Sequence, residues 1–238
     1  MNLNLLVMKN IITLLICVAF AGCGPVYYVP NTQNVPVMKE KGQTNISIGL
    51  NTSESTDGFE LQGAYGLTDK MALQLNTDWV SSSDESSTGS GHLIELGAGY
   101  YKNLSNHFVF ETYGLVGFGS LKYEDTYVSP EKISAKFIRL GVQPSISFTS
   151  KYFIASLSGR VANLNYNAVS GNYIDVDYLK ANNSHWLIEP ALTLQAGSEN
   201  IKLQLQFQLS ENLTDPYFPQ DYSLLSLGLK VNLNHKKN

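Results

Sequence analysis

Ten stretches of this chain alternate apolar and polar residues with a period of two, and no window of helical length carries a sustained apolar stripe. The clearest stretch is 201–209, IKLQLQFQL, in which isoleucine, leucine or phenylalanine occupies every second position. Strict alternation over this length indicates a β-strand with two chemically different faces. The chain from residue 43 to residue 233 therefore predicts an all-β domain of about ten strands with almost no helix.

The spacers between these stretches alternate in length. Four are short, namely 67–70, 102–106, 149–151 and 197–200, and five are longer, namely 52–58, 81–91, 122–132, 165–184 and 211–221. Outer-membrane barrels with an even number of strands have short periplasmic turns and longer outer loops. The spacing thus predicts a single antiparallel up-and-down transmembrane β-barrel over residues 43–233.

The polar face of the predicted strands carries glycine, glutamine and isolated charges, which predicts a polar lumen. A ten-stranded barrel is narrow, so we expect side chains to fill the lumen instead of leaving an open channel. Buried charges need partners, so we expect them to pair, with a proton or ion path as the alternative. The predicted lumen charges are Glu60, Asp78, Glu95, Glu111, Arg139, Arg160, Glu189, Lys202 and Lys230.

Aromatic residues lie near the ends of several predicted strands, where the interfacial girdles of a membrane barrel belong. Trp79 and Trp186 are expected at the outer ends, and Tyr100, Phe108 and Tyr152 near the inner turns. The chain departs from the usual barrel pattern at its end, because no aromatic residue closes the last strand. Leu233 is the last apolar residue, and a basic tail follows at 234–238.

The N-terminal region contains both cysteines, Cys17 and Cys23, so no disulfide framework is expected in the rest of the chain. The apolar run 11–21 has the length of a signal-peptide core, and we predict that residues 1–22 are removed. Three prolines follow within residues 24–42. Because proline fixes φ and cannot donate to a strand ladder, residues 23–42 are predicted to form an extended tether.

Ala-Gly-Cys after an apolar run resembles the lipobox of bacterial lipoproteins, in which the cysteine carries the lipid; Phe20 departs from the usual leucine. The segments YVPNTQNVPVMKEKGQ, GAYGLTDKMALQLN, AGYYKNLSNHFVFETYG and SKYFIASLSGR resemble small outer-membrane β-barrel lipoproteins of the Bacteroidota type, within the OmpA/OmpX-like barrel superfamily. The resemblance implies a bacterial outer-membrane location, with covalent lipid on Cys23. Both termini, and the tether with no acidic residue in 24–34, are expected on the periplasmic side.

Little in the sequence points to chemistry. The formal charge is −4 without clustered Lys and Arg, which argues against a nucleic-acid partner. Metalloprotease, phosphate-loop and serine-hydrolase motifs are absent, so we expect no catalytic residues, metal or cofactor besides the lipid. Outer loops containing Tyr127, Tyr166, Tyr173, Tyr178, Tyr217 and Phe218 are candidates for a glycan or protein partner.

The expected function is a lipid-anchored outer-membrane barrel with a structural or interaction role and no enzymatic activity. One alternative is a lipocalin-like periplasmic carrier, which requires the apolar face of 201–209 to point into the barrel. The other is a rim enzyme that hydrolyses lipid A or peptides with His92 and His185.

Overall fold

A computed structural model describes residues 25–125 and 131–233, which form a closed antiparallel β-barrel with a segment of chain inside it. The predicted signal peptide, Cys23 and the basic tail lie outside the described residues. The elements are β1 (Thr44–Ser53), β2 (Asp57–Gly66), β3 (Met71–Ser83), β4 (Ser87–Asn103), β5 (Phe108–Asp125), β6 (Glu131–Thr149), β7 (Phe153–Gly171), α1 (Val176–Ala181), β8 (Ser184–Gly197), β9 (Ile201–Leu209), β10 (Glu211–Asn212) and β11 (Ser223–Leu233).

Each long strand pairs with its neighbours in the chain, and pairing of β1 with β11 closes the barrel. β9 pairs with both β8 and β11, and the two-residue β10 extends the same edge along β8. Ten long strands therefore complete the cylinder, which confirms the predicted fold. Within the described residues, no helix is long and apolar enough to cross a membrane.

The two faces of the barrel are those that the alternation predicts. On β9, Leu203 is 61% exposed on the outside, whereas Gln204 is 2% exposed and points inward. The same alternation of exposed apolar and buried polar residues runs along β1, β3 and β8. The apolar face therefore points outward, whereas the carrier alternative requires the apolar face of 201–209 to point into the barrel.

The two ends of the barrel differ. We call the end with spacers 54–56, 84–86, 172–183 and 213–222 the loop mouth, and the end with 67–70, 104–107, 150–152 and 198–200 the turn mouth. Most of 81–91, and all described residues of 122–132, lie in strands although they were predicted as spacers, because the β3–β4 and β5–β6 ladders continue through these residues. The prediction also missed α1 and made the first spacer too long.

Residues 25–42 run through the lumen from the loop mouth to the turn mouth, and we call them the plug. At the loop mouth, Tyr28 forms a β-bridge with Gln220. At the turn mouth, the amide of Gly42, whose φ is 82°, donates to Gly66 before the chain reverses into β1. Eight strands enclose a space that side chains just fill, so ten strands leave room for an extended chain.

The course of the plug bears on the predicted position of the termini, which themselves lie outside the described residues. Tyr27 and Tyr28 contact the loop 213–222 at the loop mouth, whereas β11 ends beside the turn 198–200 at the turn mouth. The described chain therefore begins and ends at opposite ends of the barrel, and not on one side. Period-two counting located the strands but contained no information about which way the preceding segment runs.

Candidate functional site

Four buried charges form a compact ion-pair network across the lumen beneath the loop mouth. Arg139 Nη2 lies 2.6 Å from Glu95 Oε2, and Arg160 pairs with Glu189 and approaches Glu95 Oε1 at 3.8 Å. All four side chains are at most 1% exposed. Two positive and two negative charges balance, so each charge retains a partner where water is scarce.

The plug is bonded directly into this network. The Tyr28 hydroxyl donates to Glu189 Oε1 at 2.7 Å and accepts from Arg139 Nη1 at 2.8 Å. Arg139 also donates to the side-chain oxygen of Asn31 at 2.7 Å, and Arg160 to its backbone carbonyl at 3.1 Å. The charges therefore bind the plug as well as one another.

Below the network, side-chain amides of the barrel wall form hydrogen bonds with the plug backbone, as a neighbouring β-strand would. Gln206 accepts from the Gln33 amide at 2.7 Å and donates to its carbonyl at 2.9 Å. Gln62 donates to the carbonyl of Thr32, and Gln143 to that of Asn34. Buried backbone groups must be paired, and glutamine supplies both donor and acceptor for that purpose.

Nearer the turn mouth, one acidic and one basic residue hold the plug by its backbone. Glu111 accepts from the amides of Val37 and Met38 at 2.9 and 3.0 Å. Lys230 on β11 donates to the carbonyls of Val35 and Pro36 at 2.8 and 2.9 Å. Side chains from two strands thus form hydrogen bonds with the backbone of four consecutive plug residues, 35–38.

The remaining predicted lumen residues face inward without joining the ion-pair network. Asn51 donates to Asp78 at 2.8 Å and approaches Glu60 at 3.5 Å, and Ser226 donates to Glu60 at 3.0 Å. Lys202 donates to the carbonyl of Ser198 at the turn mouth. All nine predicted lumen residues are buried, but direct charge pairing joins only four of them.

A cavity lies at each mouth, and the plug contributes to the wall of both. The loop-mouth cavity has a volume of about 310 Å³ and is lined by Tyr27, by Asp78 and by several serines of β3 and β4. The turn-mouth cavity has a volume of about 540 Å³ and is lined by Val37, Lys39 and Lys230 among others. Between them lie residues 30–36 of the plug, all of which are buried.

An apolar cluster surrounds the start of the plug beneath the loop mouth. Tyr27 and Tyr28 pack there with side chains from β4, β6, β7, α1 and the loop 213–222. Tyr166 and Phe218, predicted as loop residues for partner binding, are buried in this cluster at 3% and 1% exposure. That prediction is wrong for these two residues; Tyr217 is 90% exposed, and Tyr127 lies outside the described residues.

The two histidines of the rim-enzyme alternative are not brought together. His92 is exposed on the outward face of β4, with Nδ1 3.1 Å from the Ser120 hydroxyl. His185 on β8 is buried, with its ring 3.9 Å from that of Phe218, and its Nε2 lies 2.8 Å from the Asn182 carbonyl. One ring points outward and the other inward, so they do not form a joint site. No group of three metal-ligating side chains occurs in residues 25–125 and 131–233.

The predicted girdle residues are all exposed on the outside of the barrel. Trp79 stacks obliquely on Phe59 on the neighbouring strand at 5.9 Å, and Trp186 is the third residue of β8, near the loop mouth. Tyr100, Phe108 and Tyr152 lie toward the turn mouth, where Phe108 packs edge-on against Phe148. Their exposures lie between 39% and 62%, so each could contact lipid.

Comparison with known proteins gives similarities of architecture only. No family model and no curated protein matches the chain. The COG4313 outer membrane channel from Pseudomonas putida F1 is 12% identical, with 86% of this chain and 100% of that chain covered and a TM-score of 0.49. The translocator domain of the autotransporter NalP from Neisseria meningitidis is 11% identical, with 81% and 87% covered and a TM-score of 0.47. A major outer membrane protein from Thermus thermophilus is 14% identical, with 80% and 99% covered and a TM-score of 0.42.

Proposed function

We propose that this protein is a bacterial outer-membrane barrel, anchored by a lipid on Cys23 and closed by its own N-terminal segment. Its role is structural or interaction-based, with the loop mouth as the surface presented to partners. The outward apolar face supports membrane insertion, because an outward belt of leucine, isoleucine and phenylalanine would be costly in water. Short turns are periplasmic in such barrels, which favours the loop mouth as the outer face.

The observation that carries the proposal is the plug. Residues 30–36 fill the centre of the lumen, and side chains of several strands bond their backbone. A solute crossing the barrel would have to displace this segment and break those hydrogen bonds. We therefore propose a closed barrel with no conducting pore in its resting state.

The two alternatives receive less support. A carrier of an apolar ligand needs an apolar lumen, whereas the centre of this lumen is lined with glutamine, asparagine and ion pairs. A rim hydrolase needs a nucleophile and base within reach of an oriented third group. The Ser120–His92 pair faces outward from the barrel wall, away from the plugged lumen, so we propose no enzymatic activity.

Three measurements on the full-length protein test this proposal. The membrane fraction of expressing cells should retain the protein through carbonate extraction, and the protein should migrate faster unheated than boiled on a gel. Labelled palmitate should be incorporated in the wild type and not in Cys23→Ala. Complete extraction by carbonate would contradict membrane insertion, and equal labelling of both proteins would contradict the anchor.

A further inference from the structure

The plug enters the barrel from the loop mouth, and this direction has a consequence for the proposed lipid. The Tyr27 amide donates to the Pro219 carbonyl at 2.9 Å, and its hydroxyl donates to Asp175 at 2.7 Å. The Asp221 amide donates to the Tyr28 carbonyl at 3.0 Å. Three hydrogen bonds to the loops 172–183 and 213–222 therefore fix the start of the described chain at this mouth.

The opposite end of the plug is fixed just as firmly at the turn mouth. The Gly42 amide donates to Gly66 at 2.8 Å, and the Asn103 side chain donates to the Lys39 carbonyl at 2.9 Å. Gly66 and Asn103 end β2 and β4 at that mouth. Residues 28–42 thus cross the whole barrel, and the two ends of the plug cannot share one side of a membrane.

We infer that the segment before residue 25 lies on the same membrane face as the long loops, and that the polypeptide crosses the membrane inside its own barrel. Cys23 precedes Pro25 by two residues, which span at most about 7 Å of extended chain. The apolar band of an outer-membrane barrel is about 25 Å tall, so a lipid on Cys23 cannot reach the leaflet at the turn mouth. The lipid would then occupy the outer leaflet. The placement of the lipid rests on the proposed function, whereas the direction of threading does not.

The shape of the loop mouth provides a route from the plug to the lipid surface. β4 to β7 are 17 to 19 residues long and form a high wall, whereas β1 and β2 have 10 residues each. A three-residue turn at 54–56 joins β1 to β2. Val26 lines the same cavity as Ser55 and Thr56 of this turn. The chain can leave the mouth over this low rim.

The inference reverses the expectation that the tether stays periplasmic. That expectation depended on the missing acidic residues in 24–34. The structure gives a different reason for their absence, because residues 30–34 are buried in the lumen. A carboxylate at these positions would need a cationic partner, and Arg139 and Arg160 are already paired.

Accessibility of single cysteines on intact cells tests the inference. The described residues contain no cysteine, so Val26→Cys and Lys41→Cys each place one thiol at one end of the plug. With a membrane-impermeant maleimide, Val26→Cys should be labelled on intact cells, together with Asp84→Cys in the β3–β4 loop. Lys41→Cys should be labelled only after permeabilisation, together with Ser198→Cys in the β8–β9 turn.

The outcomes separate the inference from the proposal on which the lipid placement rests. Labelling of Val26→Cys and Lys41→Cys on the same face would overturn the threading, and labelling of Val26→Cys only after permeabilisation would overturn the outward direction. Gel mobility before and after boiling shows that each variant is folded. Because Val26 is half-buried, an epitope inserted before Pro25 provides a second measurement, and it should bind antibody on intact cells. Palmitate labelling is measured separately. If Cys23 carries no lipid, the direction of threading is still determined by the maleimide labelling.

Discussion

Replacement of Arg139 by glutamine removes one of the cations that bond the barrel wall to the plug. Arg139 makes two contacts with Glu95, at 2.6 and 3.2 Å, and donates to Tyr28 and Asn31. The variant leaves two glutamates with one arginine, so the network carries one uncompensated negative charge. Glu95 would keep only the longer approach of Arg160 at 3.8 Å and the Asn76 amide at 3.1 Å.

The expected loss of stability is large because the remaining charge is buried. Breaking a buried ion pair by removing one partner costs about 3–5 kcal/mol. The bonds from Arg139 to Tyr28 and Asn31 are charge-assisted, and each would contribute about 1.5–3 kcal/mol if lost alone. These contributions are not additive, so we expect Arg139→Gln to lower the free energy of unfolding by about 3–5 kcal/mol.

Urea unfolding of the protein folded into lipid vesicles, followed by tryptophan fluorescence, measures this loss. The control is Lys132→Gln, which removes a 2.8 Å salt bridge to Glu124 between two exposed side chains. Such pairs contribute about 0–1 kcal/mol. Arg139→Gln/Glu95→Gln should recover about 1–3 kcal/mol of the loss by restoring neutrality. Equal effects of Arg139→Gln and the control would refute the reasoning.

Three further substitutions test separate parts of the structure. Gln206→Met removes both bonds to Gln33 and should destabilise the folded barrel by about 1–3 kcal/mol in the same urea assay. Leu205→Arg, in the middle of the outward face of β9, should cost about 2–4 kcal/mol in vesicles, and a cost near zero would argue against a membrane-facing surface. Burial raises the pKa of Asp221 at the loop mouth, so the native state binds this proton more tightly than the unfolded state. Relative to Asp221→Asn, the wild type should therefore gain stability as the pH falls from 7 toward 4, and a constant difference would contradict this.

The strands could be predicted from the sequence because each face of a barrel strand meets one environment. Alternation in 201–209 assigns Leu203 to the outside and Gln204 to the lumen without any tertiary information. The same logic assigned the nine predicted charges to inward positions, but it did not identify Asp221, which is buried at the loop mouth outside the alternating pattern. Strand ends were harder to place, since outside the apolar band both faces are polar and the pattern fades. The Ser81–Ser90 pairing illustrates this, because it continues the β3–β4 ladder through serine and glycine.

The plug could not be predicted from periodicity, because an extended chain inside a barrel is surrounded on all sides and shows no alternation. The available cue was composition. Residues 24–38 contain no charged side chain, and NTQN at 31–34 provides amides and a hydroxyl suited to a polar, water-poor lumen. Charges resume at Lys39, where the chain reaches the turn mouth and becomes exposed. A solvated tether outside the barrel would not require an uncharged stretch followed by charged residues.

Electrical recording across a planar bilayer tests the central claim, that residues 25–42 close the lumen. Wild-type protein should show no discrete conductance steps. A variant in which residues 27–38 are replaced by a glycine–serine segment of equal length should show steps, because the bonds from Gln206, Glu111 and Lys230 lose their fixed partners. The control replaces residues 84–87 in the same way and should stay closed. Steady conductance by the wild type, equal to that of the plug variant, would contradict the account.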